Sequence, residues 1–277
     1  MKKTIAYAAL LSCAALAVGP AMANHSWGSY HWGRTSNPLN LTLERQITSQ
    51  WEASYEGAEA DWDQSTVLNL TRVDTNVGTD PKKCTAINGK VLVCNAAYGK
   101  RGWLGIASIW ASGSHITKAT TKLNDSYHNS PPYNSQEWRN FVTCQEIGHD
   151  FGLDHQDENF NNANLGTCMD YTNNPGTNQH PNNHDYQQLQ TIYQHLDSVD
   201  TSATQQTNFG VRVPGRAPIA PPGLNEAAGD SPAEWGRSIH LDGAGRPDVF
   251  VQDLGGGRKK ITHVIWAIGE GPKGHIQ

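Results

Sequence analysis

The stretch Thr143–His155, TCQEIGHDFGLDH, constrains this chain more than any other. On an α-helix, positions four apart lie about 40° from each other around the axis and share a face. Gln145 and His149 therefore point the same way, with the Glu146 carboxylate beside them. Gly152 lets the backbone leave the helix through a left-handed cap. His155 can then swing back toward the same face. Such an arrangement builds a facial three-ligand metal site with an open fourth position. The helix also has a start signal. Pro131-Pro132 breaks the chain, and Asn134 with Glu137 three residues later is capping-box-like. The spacing of Trp138, Phe141, Val142 and Gln145 predicts a helix over about 135–151.

The beginning of the chain reads as a secretory signal peptide. Lys2 and Lys3 precede an apolar run from Ile5 to Val18 and an A-x-A type end at Ala21–Ala23. The run is too short to span a bilayer, and no later segment is apolar for long enough to do so. An exported protein, extracellular or periplasmic, is expected, with no membrane partner. Cleavage after Ala23 removes two lysines and no acidic residue, taking the formal net charge from −5 to −7. A mildly acidic protein has nothing to neutralise phosphates in bulk, so nucleic-acid binding is not expected.

Four cysteines follow the leader: Cys84, Cys94, Cys144 and Cys168. An even count in an exported chain implies two disulfides, with three possible pairings. Asn88-Gly89 predicts a type I′ hairpin turn, and Cys84 and Cys94 flank it almost symmetrically, which favours their pairing. Cys144 sits five residues before His149, about 140° off its face, and points away from the metal. Cys144–Cys168 then remains.

The rest of the chain reads as strands before the helix and little after it. Leu39–Leu43 and Val67–Val73 are strand-like, as are Gly102–Gly113 and Ser114–Asn124. Residues 156–183 are rich in Asn, Gly and Pro and read as a loop. A second helix is predicted over about His184–Leu196. From Thr201 the composition becomes Pro/Gly/Ala-rich, marking a linker over 201–222. Residues 223–277 hold two β-like runs, Asp248–Leu254 and Lys260–Ile268, joined by three glycines. That hairpin either packs on the main domain or forms a small appendage.

The segment QEIGHDFGLDH resembles the metzincin zinc-protease motif H-E-x-x-H-x-x-G-x-x-H at every fixed position but the first, where Gln145 stands. TCMDY (Thr167–Tyr171) resembles the Met-turn of that family, with Met169 fourteen residues beyond His155 and Tyr171 two after it, as in astacin-like and serralysin-like branches. The resemblance spans roughly residues 40–198, and its motifs lie within 143–171. It implies an α+β fold: a mixed sheet with an active-site helix, a Met-turn and a closing helix, in a domain over 24–200. It also implies a zinc-dependent endopeptidase, with Zn2+ held by His149, His155 and Gln145. Glu146 would be the general base toward a water on the metal, and Tyr171 would assist catalysis. The expected partner is a protein or peptide substrate, docked along an edge strand near 102–113, on a chain that acts as a monomer.

Gln145 leaves three readings open. It ligates through its amide oxygen, a poorer donor than imidazole. Another residue replaces it, with His180 and His184 as candidates. Or no stable metal binds, and the chain is a catalytically inactive extracellular binding protein. Other features carry little. Asp154 reads as a neighbour of the site rather than a ligand, Met169 as its floor, and LGGGRKK as a turn, since no G-K-[ST] follows.

Overall fold

The computed structural model describes residues 24–74, 80–202 and 227–273 of the 277. The expected signal peptide, and all of the expected linker beyond Ser202, lie outside them. The described residues form a mixed α/β fold with a nine-strand sheet and five helices. Among them no helix is long and apolar enough to cross a membrane.

The sheet begins with β1 (His31–Trp32), β2 (Leu39–Gln46), β3 (Leu68–Asp74) and β4 (Lys90–Ala96). The long pair β5 (Trp103–Ser112) and β6 (His115–Asn124) follows. The C-terminal strands are β7 (Arg237–Leu241), β8 (Pro247–Gly255) and β9 (Arg258–Trp266). Their order is β3-β2-β4-β6-β5-β9-β8-β7, and β1 runs parallel to the start of β6. The half from β3 to β6 is parallel, and from β6 onward every pairing is antiparallel.

In β2 the leucines alternate as a half-buried strand requires, with Leu39, Leu41 and Leu43 in the core. Helix α1 (Ser49–Trp62) and helix α3 (Gln136–Asp150) cover that face of the sheet. Trp51, Tyr55, Ala58 and Trp62 recur at helical spacing along α1 and are buried. The short α2 (Asp125–His128) links β6 to the approach of α3. The opposite face of β5, β8 and β9 is covered by residues 227–235, including the one-turn α5 (Pro232–Trp235). Trp235 packs there with Tyr98, Trp103, Ile106, Phe250, Val264 and Trp266. Strand β5 is thus buried on both faces, which is why its sequence does not alternate.

Two turns differ from expectation. A turn does form at Asn88-Gly89, with the Lys90 amide donating to the Ile87 carbonyl at 3.2 Å, but no hairpin follows. Strand β4 pairs with β2 on one side and β6 on the other, so the 84–87 arm has no free edge to join. The second helix, α4 (Asn183–Ile192), ends earlier than predicted. Its capping box uses Asn182 and Asp185, and Leu196 beyond its end is exposed. Both favoured disulfides are present, Cys84–Cys94 and Cys144–Cys168.

The C-terminal hairpin packs on the main domain. Strand β9 pairs with β5 along its whole length, from Trp103↔Trp266 to Ser112↔Arg258. The buried Lys122 fastens the chain that leads into it, donating to the Gly229 carbonyl and pairing with Asp230. The expected edge at 102–113 is therefore not free in this structure. Its outer edge is occupied by β9.

Candidate metal centre

Helix α3 starts at Ser135, whose side chain accepts the Trp138 amide, and ends at Phe151. Gly152 follows with φ +94, a conformation that favours glycine. A Cβ there would also lie 2.3 Å from the Tyr30 carbonyl oxygen. The helix thus stops against the N-terminal segment, and the chain turns back through Leu153 to His155. The Met-turn closes the other side. The Gln156 amide donates to the Met169 carbonyl at 2.6 Å, and Met169 is fully buried.

Helix periodicity brings His149 and Glu146 to the sheet side of α3 as expected. Strand periodicity brings a third imidazole. On β9, Ile261 and Ile265 join the main core, while Val264 and Trp266 face the second core. His263 shares the parity of 261 and 265 and so faces α3. Across the strands it stands opposite Ala107 of β5 and Val249 of β8.

His149, His155 and His263 each present a ring nitrogen within 4.8 Å of the other two. The ring centroids are 3.9 Å apart for His149–His263, 4.5 Å for His155–His263 and 4.8 Å for His149–His155. Glu146 Oε2 lies 4.0 Å from His263 Nδ1. Glu146 has room because residue 105 is glycine. A Cβ there would fall 2.9 Å from Glu146 Oε1 and 2.6 Å from Val142. Trp27 closes the top, 5.7 Å from the His149 ring and 6.0 Å from that of His263.

The hydrogen bonds around the rings fix which nitrogens are free. His149 Nδ1 lies 2.8 Å from the Leu153 carbonyl, which can only accept, so the proton sits on Nδ1 and Nε2 is bare. Tyr171 Oη donates to Asp248 Oδ2 at 3.0 Å and stands 3.2 Å from His263 Nε2. With its proton directed at Asp248, the phenol accepts from His263 Nε2–H, which leaves Nδ1 bare toward Glu146. Asp248 is held in turn by His240 Nδ1 at 2.8 Å. A carboxylate behind a histidine in this way orients it and raises its basicity as a ligand.

Burial dominates the electrostatics. It lowers the proton affinity of His149 well below the usual imidazole range, and the neighbouring His263 and His155 add to the effect. His263 is lowered for the same reasons, burial first and then His155. Burial and the nearby Asp150 push Glu146 well above the usual carboxylate range. Burial opposes ionisation of Asp248, but the hydrogen bond from His240 and the nearby His263 imidazole outweigh it and hold that carboxyl below its ordinary range.

Among the described residues, His149 Nε2, both nitrogens of His155, His263 Nδ1 and both oxygens of Glu146 are buried with no hydrogen-bond partner. His155 Nδ1 turns toward Glu158, 3.5 Å from its Oε1, and the other orphaned atoms would be costly in a closed core. Neutral imidazoles with bare nitrogens suit a borderline cation. This buried three-histidine group can hold a metal ion.

No protein-family model and no curated protein matches this chain.

Gln145 donates its Nε2 to the Cys168 carbonyl at 2.8 Å, and its Oε1 is buried without a partner among the described residues. It ties α3 to the Met-turn beside the Cys144–Cys168 disulfide. His180 is exposed and bonds Asp61 at 2.7 Å, and His184 stacks on His25 at 4.8 Å. Neither reaches the centre. Tyr171 lies 3.9 Å from the His155 ring, between Phe160 and the imidazoles, with its hydroxyl in the network behind His263. Sequence reasoning did not single out His263. Its only signal is its parity within a strand whose same-face neighbours are isoleucines.

Proposed function

We propose that the chain is an exported zinc metalloendopeptidase held closed by its own C-terminal strand. One observation supports this most: His149 and His155 of the E-x-x-H-x-x-G-x-x-H segment meet His263 with free ring nitrogens within 4.8 Å, beside an unpartnered Glu146. A zinc ion bound there would supply Lewis-acid polarisation of a scissile carbonyl and make water a stronger acid. Glu146 would take the proton of the attacking water and deliver it to the leaving nitrogen. Asp248 and Tyr171 orient His263 from behind.

The closed state follows from the strand pairing. Resemblance to metzincins lays an extended peptide along the edge that β5 would offer, an addition of one strand to the sheet. Strand β9 runs antiparallel along β5 and carries His263 to the centre of that edge. In this reading β9 takes the place of substrate, and His263 takes the ligand place that Gln145 fills poorly. When β9 leaves, the unpartnered Gln145 Oε1 is the nearest replacement on the helix.

A second reading is favoured by the burial itself. His149, His263 and Glu146 are wholly buried, and structural zinc sites are closed whereas catalytic ones keep an open position. In that case the chain is a non-catalytic binding protein stabilised by metal. The pair Gln145→His/His263→Ala separates the two. It rebuilds a three-histidine set on the main body and uncouples β9 from the metal. A latent peptidase predicts chelator-sensitive hydrolysis of an unfolded protein substrate that exceeds the wild type and vanishes with Glu146→Gln. Stoichiometric zinc with no hydrolysis by either chain would leave only the non-catalytic reading.

A further inference from the structure

Away from the centre, a second group of donors meets where the N-terminal segment crosses the end of the domain. We propose that His31, His195 and Asp197 form a second divalent-cation site. His31 Nε2 lies 3.4 Å from Asp197 Oδ1, His195 Nε2 lies 3.4 Å from the same oxygen, and the two Nε2 atoms are 3.3 Å apart. Ligands bound tetrahedrally at about 2.0–2.1 Å stand about 3.3–3.4 Å from one another, since that edge is about 1.63 times the bond length. The three donors already span one face of such a tetrahedron. His115 Nε2 also lies 3.1 Å from Asp197 Oδ1, but it is not among the donors that lie within 4.8 Å of one another.

The protons point the same way. His31 Nδ1 is 2.8 Å from the Ser29 carbonyl, so the neutral ring carries its hydrogen there and Nε2 is a bare acceptor. That acceptor faces a carboxylate oxygen and a second imidazole nitrogen. A proton on His195 can satisfy one of these contacts, whereas a cation satisfies all three. The supporting bonds are those of a held site. The other carboxylate oxygen of Asp197 accepts the Arg34 amide at 2.9 Å, and the Asp197 amide donates to the Arg34 carbonyl at 2.7 Å. His31 is buried and Asp197 partly buried, while the His195 side chain is about half exposed. An open groove lined by Ser26, Tyr30, His31, Gln188 and His195 gives a route in from solvent.

Such a cation would fasten two distant pieces of chain: β1 and the segment after α4. The N-terminal segment it secures carries Trp27, which closes the top of the first centre. The site stands on its own geometry and does not depend on hydrolytic activity.

The test is zinc stoichiometry on the full metal-depleted chain, by calorimetry and by elemental analysis after desalting, with visible absorption of the Co2+ form as a check on geometry. Two ions per wild-type chain are expected. His195→Asn and His31→Asn should each remove one, and His149→Asn should remove the other. A single ion that is lost with His195→Asn but kept in His149→Asn also supports this site while it removes the first. A count unchanged by both His195→Asn and His31→Asn, or no ion at all, overturns it. His195 is exposed enough that its exchange leaves folding intact, which circular dichroism of the same sample checks.

Discussion

His263 Nδ1 faces Glu146 Oε2 at 4.0 Å, although one residue belongs to the last strand and the other to the helix at the middle of the chain. The distance exists because β9 pairs with β5, and because Gly105 on β5 leaves space for the glutamate. The centre is thus a joint product of α3 and the last strand, β9, and its metal affinity should depend on both.

His263→Ala should weaken zinc binding at this centre more than the loss of an outer-shell partner, which typically costs 10–100-fold. Adding Gln145→His should restore much of that loss, because residue 145 lies one turn before His149 on the same face. Competition with a chromogenic chelator measures both. A His263→Ala chain that binds zinc as tightly as wild type at this centre would show that the third imidazole is not a ligand.

Asp248 tests the layer behind the ligand. Its Oδ2 receives the Tyr171 hydroxyl, which in turn orients His263, and its Oδ1 receives His240. Asp248→Asn keeps the shape and removes the charge. Zinc affinity should fall about 10–100-fold, with the fold intact by circular dichroism. Tyr171→Phe breaks the link between carboxylate and ring and should fall in the same direction. If Asp248→Asn leaves affinity untouched, His263 is positioned by packing alone.

Much of the first half of this centre was legible from residues alone. Glu146, His149, Gly152 and His155 sit where helical periodicity and a glycine cap put them. The disulfides followed from chain position and helix facing. What escaped has physical reasons. His263 gains its meaning from pairing between β9 and β5, a long-range register that no local pattern encodes. Strand β5 looked like an edge because nothing in its own sequence reports what lies beside it. Helix α1 was readable in principle, since Trp51, Tyr55, Ala58 and Trp62 keep helical spacing. The intervening Glu and Ala residues dilute that stripe. The false hairpin at Asn88-Gly89 shows the converse: a turn does form there, but Asn88 lacks the positive φ that a type I′ turn needs, and both edges of β4 were already taken.

The Cys144–Cys168 disulfide joins α3 to the turn at Met169, next to the Gln145–Cys168 hydrogen bond. Its sequence separation of 24 sets a loop for which the chain-entropy account gives about 3 kcal/mol. The Cys144→Ala/Cys168→Ala chain should therefore unfold at lower denaturant, by about that amount. The denaturant slope should rise slightly, as a less constrained unfolded chain exposes more surface. Urea titrations of the two chains at one pH decide it. An unchanged midpoint would mean that packing around Met169 fixes the turn without the bond.

Acid stability should depend on His128. Its ring is wholly buried against Trp51, with centroids 4.7 Å apart, and Nδ1 bonds the Tyr133 carbonyl at 3.2 Å. Burial depresses its pKa from 6.5 to about 3. A histidine held neutral in the folded state and free to protonate in the unfolded one stabilises the fold fully above pH 6.5, and that contribution is lost as pH falls toward about 3. At pH 5 the loss amounts to about 2 kcal/mol, at 1.36 kcal/mol per pH unit below the unfolded value. His128→Asn keeps a donor for Tyr133 and cannot take up the proton. The variant should be less stable than wild type at pH 7.5 but lose less stability between pH 7.5 and 5. Other buried histidines contribute the same slope to both chains, so the difference between the two urea series isolates this residue. Parallel curves across that range would mean that His128 protonates without opening its pocket.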